Sequence, residues 1–242
     1  MQIVISTACS PFENPFHIEQ NLEKDMQILC VPTGLLGTNT YIVYSETGTA
    51  EKPADCVVID PAASKPIIKK LREMNLHCTH ILLTHGHFDH TMGVAKLKEE
   101  EGAQVFIHNA DAGALSGGEA SLAYMAGTHV TPCEVDKRLK GNDTFIAAGI
   151  EFKVIFTPGH TPGGVCYVVE SEKVIFSGDT LFRLSVGRTD LAGGDGTRLY
   201  ESIAFQLFTL PGDYRVFPGH EEETTLEFER KFNPFMKSGS IY

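Results

Sequence analysis

A segment of seven residues, THGHFDH at positions 84–90, constrains this chain more than any other part of its sequence. It brings three histidines and one aspartate together directly after an apolar run, Ile81 to Leu83, that predicts a buried strand. The residues after it, about 91–101, predict a helix. The segment therefore forms a strand-to-helix corner that is crowded with side chains of the kind that bind metals.

The spacing of these four side chains directs them to one place. His85 and His87 are two residues apart, so on an extended backbone their side chains leave on the same side. Asp89 and His90 fall in the first turn of the predicted helix, where a carboxylate suits the positive end of the helix dipole. Together they predict part of a metal site, for which the rest of the chain has to supply further ligands.

Three later segments share one pattern: an apolar strand ends in a turn of small residues that carries a single metal-type ligand. A glycine before the ligand lets the backbone turn sharply and approach the site closely. With residues 84–90 these segments supply five histidines and two aspartates, enough for two metals that share one carboxylate. No cysteine joins them, so the donors are nitrogen and oxygen, and an iron–sulfur cluster is excluded. The segments are FTPGH, which ends at His160, FSGDT, which contains Asp179, and FPGH, which ends at His220.

Composition limits the class of protein and its partners. The 242 residues carry a net charge of -11, which argues against nucleic acid as a partner because no basic surplus is present to neutralise phosphates. No apolar run has the length of a membrane span. The six cysteines are scattered without a C-x-x-C pair, and the N-terminus has no positively charged region before its apolar residues. These features predict a cytoplasmic protein that binds neither nucleic acid nor a membrane.

Short strands alternate with helices along the chain, which predicts two β-rich halves packed face to face with helices outside. One helix is predicted to begin at Ser64, as its cap, with Pro66 in the first turn. Residues 1–25 predict an N-terminal extension, and residues 26–242 predict a single domain. Strands are predicted over 26–31, 40–44, 56–59, 80–83, 104–107, 144–146, 151–156, 165–169, 174–177 and 215–217, and helices over 64–74, 91–101, 197–207 and 224–231, with one or two short ones in 110–126.

The set THGHFDH, TPGH, SGDT and FPGH resembles the metallo-β-lactamase-fold hydrolases, and the resemblance extends over nearly the whole chain from residue 26. It implies an αββα sandwich of the α/β class with a two-metal site along one edge. The segments GDTLFRLSVGRTDLAGGD and FPGHEEETTLEFERKFNP are most similar to the small glyoxalase II-like proteins. The implied ligands are His85, His87 and His160 for the first metal, Asp89, His90 and His220 for the second, and Asp179 between the two, together with a water or hydroxide.

The resemblance also implies an activity, the hydrolysis of S-lactoylglutathione or a related small-molecule thioester. A bound divalent ion lowers the pKa of its water from ~15.7 to about 7, so hydroxide is available at neutral pH. Zinc is expected at both positions, and iron or manganese would also suit nitrogen and oxygen donors. Asp89 is expected to orient the hydroxide, and either Asp89 or a metal-bound water is expected to pass on a proton later. Glyoxalase II proteins carry a C-terminal helical region that binds glutathione, whereas 22 residues follow His220 here, so the thioester chemistry carries over better than the glutathione specificity.

Two further residues have two interpretations each. Asp60 ends a strand and either orients a ligand histidine or bonds its own backbone as a turn carboxylate. Arg188, in the sequence GRTD, either holds the substrate or pairs with Asp190 and fixes the loop.

Other functions stay open from the sequence. The segments TPGHTPGGVCYV, GRTD and LFTLPGD also resemble the persulfide dioxygenases, in which one iron is held by two histidines and one aspartate. Lactone hydrolysis is a weaker enzymatic alternative, and a non-enzymatic protein with a purely structural metal site is another. Structural zinc has four protein ligands and closed coordination, so seven ligands that leave room for water favour catalysis. The oligomeric state is not predicted.

Overall fold

Two six-stranded sheets organise the part of the chain that the computed structural model describes, which is residues 26–46, 48–49 and 51–237. In the first sheet the strands lie side by side in chain order. The first three are antiparallel neighbours, and the last three continue parallel to the third. These strands are β1 Gln27–Thr33, β2 Thr38–Tyr44, β3 Ala54–Ile59, β4 Leu76–Leu82, β5 Gln104–His108 and β6 Lys137–Leu139.

The second sheet has the order β14-β13-β10-β9-β8-β7. Its strands are β7 Thr144–Ala147, β8 Ile150–Phe156, β9 Val165–Val169, β10 Val174–Gly178, β13 Arg215–Pro218 and β14 Thr224–Thr225. A small antiparallel hairpin, β11 Leu181–Phe182 and β12 Ser185–Val186, follows β10 outside this sheet. The parallel pair β10 and β13 brings two predicted metal ligands, which follow these strands, to the same edge.

Four helices lie between strands in the sequence, and two more follow the last strand of the described residues. They are α1 Ser64–Met74, α2 Phe88–Thr91, α3 Val94–Glu101, α4 Gly196–Ser202, α5 Leu226–Phe232 and α6 Pro234–Lys237. Three short 3-10 helices cover Ala112–Ser116, Glu119–Ser121 and Ala123–Ala126, and a π-helix over Ile203–Leu207 continues α4.

Three hydrophobic clusters show how these elements are layered. The central cluster lies between the sheets and combines residues of both, such as Val57 and Phe152. A second cluster covers the outer face of the first sheet with residues of α1 and α3, including Leu71 and Leu97. A third covers the outer face of the second sheet with α4 and α5 residues such as Leu199. The order helix, sheet, sheet, helix confirms the predicted αββα sandwich.

Most element predictions are confirmed within a few residues, but some details are wrong. Helix α1 has the predicted bounds, yet Ala63 is its N-cap and no side chain caps it, so the capping role of Ser64 is wrong. The single helix predicted over 91–101 is instead the pair α2 and α3. The break follows from Gly93, whose N–H donates to Pro61 O at 2.8 Å rather than to a carbonyl one turn earlier in the helix.

The region predicted as one helix over 224–231 begins as strand β14. Thr225 ends that strand and caps α5, because its hydroxyl accepts the N–H of Phe228 at 3.2 Å. Strand β6 and the hairpin β11–β12 were not predicted. The proposed division into an extension and one domain stays a prediction, since residues 1–25 lie outside the described part of the chain. Among the helices of the described residues, none has both the length and the apolar character needed to cross a membrane.

Candidate metal centre

Four turns at the ends of strands meet at one edge of the sandwich and carry all seven predicted ligands. The turn after β4 carries four of them, and the turns after β8, β10 and β13 carry one each. Five of the seven residues are buried, and Asp179 and His220 are partly exposed. We call this set the seven-ligand centre: His85, His87, Asp89, His90, His160, Asp179 and His220.

The ligand atoms of the centre fall into three overlapping groups. In each group one donor atom per residue lies within 4.8 Å of the others. The first and third groups have the membership predicted for the two metals, and the second connects them through Asp179. The groups are His85, His87 and His160; His85, His90 and Asp179; and Asp89, His90 and His220. The structure thus brings the predicted ligands together, and their individual roles stay predictions.

Asp179 lies between the two predicted metal positions. Its Oδ1 is 3.3 Å from His90 Nε2. Its Oδ2 is 3.5 Å from His160 Nε2 and 3.7 Å from His220 Nε2. One carboxylate therefore reaches ligands of both groups, which is the position a shared ligand requires.

Bound metal ions explain the arrangement of the donor atoms better than hydrogen bonds among these atoms do. Within the described part of the chain, three buried side-chain atoms lack a hydrogen-bond partner: His85 Nε2, His90 Nε2 and Asp179 Oδ1. Buried polar atoms are almost always satisfied, so an orphaned cluster needs an explanation, and a bound ion supplies one. His87 Nδ1 and His160 Nε2, which belong to one group, lie 2.9 Å apart. Imidazole and carboxylate donors suit zinc, iron and manganese alike.

The outer nitrogens of two ligands are held by other parts of the chain. His90 Nδ1 lies 3.0 Å from Asp60 Oδ2, and His160 Nδ1 lies 2.8 Å from the carbonyl oxygen of Arg188. Since both partners accept only, each Nδ1 carries a proton, and Nε2 is the nitrogen that each ring offers to a metal. The Asp60 carboxylate also accepts the N–H and the hydroxyl of Thr84 at 2.8 and 2.6 Å. These contacts favour the orienting role of Asp60 over that of a turn carboxylate.

Burial and neighbouring charges divide the imidazoles into two kinds. Burial and the neighbouring His160 lower the pKa of His87 to about 4, and burial together with His90 lowers the pKa of His85 well below its usual value. Both are therefore neutral at pH 7, the form that binds a metal. For His90 burial acts in the same direction, but the carboxylates of Asp179 and Asp60 outweigh it and hold its pKa well above the usual value. A metal at that group has to displace a proton.

Arg188 takes part in an ion pair rather than reaching freely into the site. Its Nε and Nη2 donate to the two carboxylate oxygens of Asp190, each at 2.7 Å. Both side chains are largely exposed. This geometry favours the interpretation in which the pair fixes the loop, while the backbone carbonyl of Arg188 orients His160.

The centre opens into a cavity of about 480 Å³. Asp89, Asp179 and His220 form part of its wall, so the ligands face solvent. Several apolar side chains form the opposite walls, and Arg188 and Glu221 contribute charge. The apolar residues include Leu36, Phe88, Leu122, Met125 and Phe182.

Comparison with known proteins decides the family. The profile of the metallo-beta-lactamase superfamily matches residues 33–220, which span six of the seven ligands and end at the seventh. The chain belongs to the metallo-beta-lactamase superfamily. The resemblance seen in the sequence is thereby confirmed.

Proteins similar to this chain carry names of different activities. The hydroxyacylglutathione hydrolase GloC of Haemophilus influenzae is 31% identical over 218 residues, covering 89% of this chain and 100% of that protein. The solved structure of the B3 metallo-beta-lactamase BLEG-1 has a TM-score of 0.80 at 33% identity, covering 88% of this chain and 100% of that one. The protein TTHA1623, solved in a di-iron-bound form, has a TM-score of 0.73 at 36% identity, covering 86% and 99%. ETHE1 from Myxococcus xanthus has a TM-score of 0.68 at 26% identity, covering 86% and 83%.

Some residues around the centre were not predicted from the sequence. The Thr38 hydroxyl donates to Asp89 Oδ2 at 3.4 Å, and Asp111 contacts two of the ligand-bearing turns. Asp111 follows strand β5, and its position after a strand was the signal in the sequence that could have identified it.

Proposed function

We propose that this superfamily member is a metal-dependent hydrolase that cleaves small-molecule thioesters, with two divalent ions, zinc foremost, at the seven-ligand centre. One observation carries the proposal: Asp179 lies between two groups of ligands at a centre that opens into a cavity of about 480 Å³. A purely structural site would be closed by four protein ligands, whereas this one faces a space large enough for a substrate. The likeness to GloC supports a thioester, and the di-iron form of TTHA1623 supports two metals.

The chain's own residues prepare the site in three ways. Asp60 and the Arg188 carbonyl fix the ring orientation of His90 and His160, so both Nε2 atoms point into the centre. Asp89, which lies 3.2 Å from His220 Nε2 through its Oδ2, is positioned to accept the proton of the attacking water. Bound divalent ions would supply hydroxide at neutral pH and polarise the substrate carbonyl.

The leaving group favours a thioester over an amide. Apart from members of the seven-ligand centre, the titratable side chains that line the cavity within the described residues are Arg188 and Glu221. Arg188 is paired with Asp190, and Glu221 is exposed at the rim. Neither is a buried acid aimed at a departing group. A thiol has a pKa of about 8.5 and leaves as the thiolate without such help, whereas an amine leaves only when protonated.

The test combines metal analysis with substrate assays on the purified full chain. We expect about two divalent ions per chain and hydrolysis of S-lactoylglutathione or of another member of an acyl-thioester panel. A chromogenic β-lactam belongs in the same panel because of the likeness to BLEG-1. Protein that holds two ions but hydrolyses no thioester would overturn the proposal, and β-lactam turnover in its place would replace it.

A second candidate is persulfide dioxygenation by a single iron, which the resemblance of TPGHTPGGVCYV, GRTD and LFTLPGD to the persulfide dioxygenases supports. The donor set contains the two histidines and one aspartate that such a site uses, for instance His85, His90 and Asp179. Oxygen uptake with glutathione persulfide, by protein that contains one iron and does not hydrolyse thioesters, would favour this candidate over the first.

A further inference from the structure

Asp111 connects two ligand-bearing turns through one buried carboxylate. Its side chain is 7% exposed. Oδ2 accepts the N–H of Gly86 at 3.0 Å and the hydroxyl of Thr161 at 2.7 Å. Oδ1 accepts the N–H of Gly163 at 2.6 Å. All three donors are uncharged groups, so the buried carboxylate is held by neutral hydrogen-bond donors.

The positions of these donors relate Asp111 to one group of ligands. Gly86 separates His85 from His87 in the turn after β4, and Thr161 directly follows His160 in the turn after β8. The first turn extends from the first sheet and the second turn from the second sheet. One carboxylate therefore spans the gap between the sheets and fixes the distance between the three imidazoles of the first group.

We propose that Asp111 is a positioning residue for the group His85, His87 and His160, and the counterpart of Asp60, which orients His90. Asp60 bonds a ligand ring directly, whereas Asp111 acts on the backbone that carries the ligands. Asp111 holds the backbone of the first group, whereas Asp60 holds His90 directly and also holds Thr84, whose Oγ1 lies 3.1 Å from His85 Nδ1. The proposal rests on metal binding at the centre and does not depend on which bond the enzyme cleaves.

The site requires a carboxylate rather than an amide of the same shape. The N–H groups of Gly86 and Gly163 can only donate, and they approach different oxygens of Asp111. In Asp111→Asn one of the two oxygens becomes an NH₂ group, so in either orientation a donor faces a buried N–H donor. The volume is unchanged, and the turns therefore separate through lost hydrogen bonds rather than through a cavity.

The experiment measures the two metal affinities by competition with a chromophoric chelator, using zinc as the probe. Loss of an outer partner of metal ligands lowers affinity by about 10- to 100-fold, and we expect Asp111→Asn to weaken one of the two binding steps by this factor. Asp60→Asn should weaken the step that depends on His90. The double variant should bind zinc more weakly than either single variant, because the two aspartates hold the ligands through different contacts.

A matched control separates positioning from a general loss of stability. Glu229 is also a buried carboxylate with three neutral donors, Thr224 Oγ1, Leu184 N–H and Asn233 Nδ2, but it contacts none of the ligand-bearing turns. Glu229→Gln should lower the melting temperature and leave both zinc affinities at the wild-type value.

Two results would overturn the inference. One is that Asp111→Asn binds both zinc ions with wild-type affinity, and the other is that the double variant binds zinc like Asp60→Asn alone. If Asp111→Asn does not fold, Thr161→Val takes its place, since it removes one of the three donors and should weaken the same step by a smaller factor. If the wild-type protein binds fewer than two zinc ions, that result contradicts the dinuclear proposal instead. The role of Asp111 is then tested by whether Asp111→Asn lowers the affinity for the zinc ion that does bind.

Discussion

Gly219 lies at the closest approach between the backbone and the seven-ligand centre, and Gly219→Ala tests the geometry of that centre directly. A Cβ atom at this position would lie 2.3 Å from Asp179 Oδ1 and 2.6 Å from His90 Cε1. Its own backbone has little freedom to move away. The Gly219 N–H donates to Gly178 O at 2.9 Å, and its carbonyl accepts the N–H of Asn39 at 2.7 Å.

The size of the effect follows from these distances. Ordinary van der Waals contact begins near 3.4 Å, so Asp179 and His90 must each withdraw by about 1 Å. A misplacement of 1 Å in a catalytic site can lower the rate by about 100-fold. Both displaced side chains belong to the centre, and one of them is the predicted shared ligand. We therefore expect Gly219→Ala to lower kcat/KM by about 100-fold and to weaken metal binding.

The assay compares kcat/KM on the thioester that the wild type hydrolyses best with metal affinity by chelator competition. Gly118→Ala is the matched control, because Gly118 has an ordinary backbone conformation and a Cβ there would meet nothing within 4 Å. That control should match the wild type in both measurements. If Gly219→Ala also keeps wild-type activity and metal affinity, then metal binding and catalysis do not require Asp179 and His90 at the positions that the structure gives them.

Three further substitutions test other parts of the structure. Asp179→Ala should lose metal and activity together, and unchanged metal content by elemental analysis would show that the shared ligand is misassigned. Arg188→Ala should leave the free energy of unfolding nearly unchanged, because its pair with Asp190 is exposed to solvent, and metal content should stay constant. A large increase in KM for that variant would support the substrate-holding role. Tyr167→Phe should lower the free energy of unfolding in urea by about 1–3 kcal/mol, since Tyr167 donates to Leu83 O at 2.8 Å in the core and the carbonyl would be left unsatisfied.

The sequence predicted those features that depend on local pattern. Helix α1 has its predicted bounds because Ile67, Ile68 and Leu71 recur at helical spacing and are buried against the first sheet. The long strands were found for a similar reason, since their apolar runs are buried within a sandwich. Strand β6 has three residues, and its pairing with β5 depends on contacts that no local pattern records.

The candidate site, like the fold, was predicted where it depends on local sequence pattern. Its ligands stand in short motifs with glycine beside them, so they could be predicted from residue types alone. The partners that orient them could be predicted only in part. Asp60 could be predicted because it is a carboxylate that directly follows a predicted strand. The partner of His160 could not, because it is a backbone carbonyl, which any residue at position 188 would supply. Asp111 stands outside every motif, and its role depends on two turns that are distant in sequence.

The division of ligands between the sheets explains why the metal centre and the sandwich depend on each other. The turn after β4 extends from the first sheet and carries four ligands, whereas His160, Asp179 and His220 follow strands of the second sheet. Each predicted metal position takes ligands from both sheets, so an ion bound there links the sheets at their edge. Beneath it, Val165 N–H donates to Thr84 O at 2.9 Å across the same gap. The ligand positions are therefore set by how the two sheets pack, and residues 84–90 supply four of the seven ligands of a site that only this packing completes.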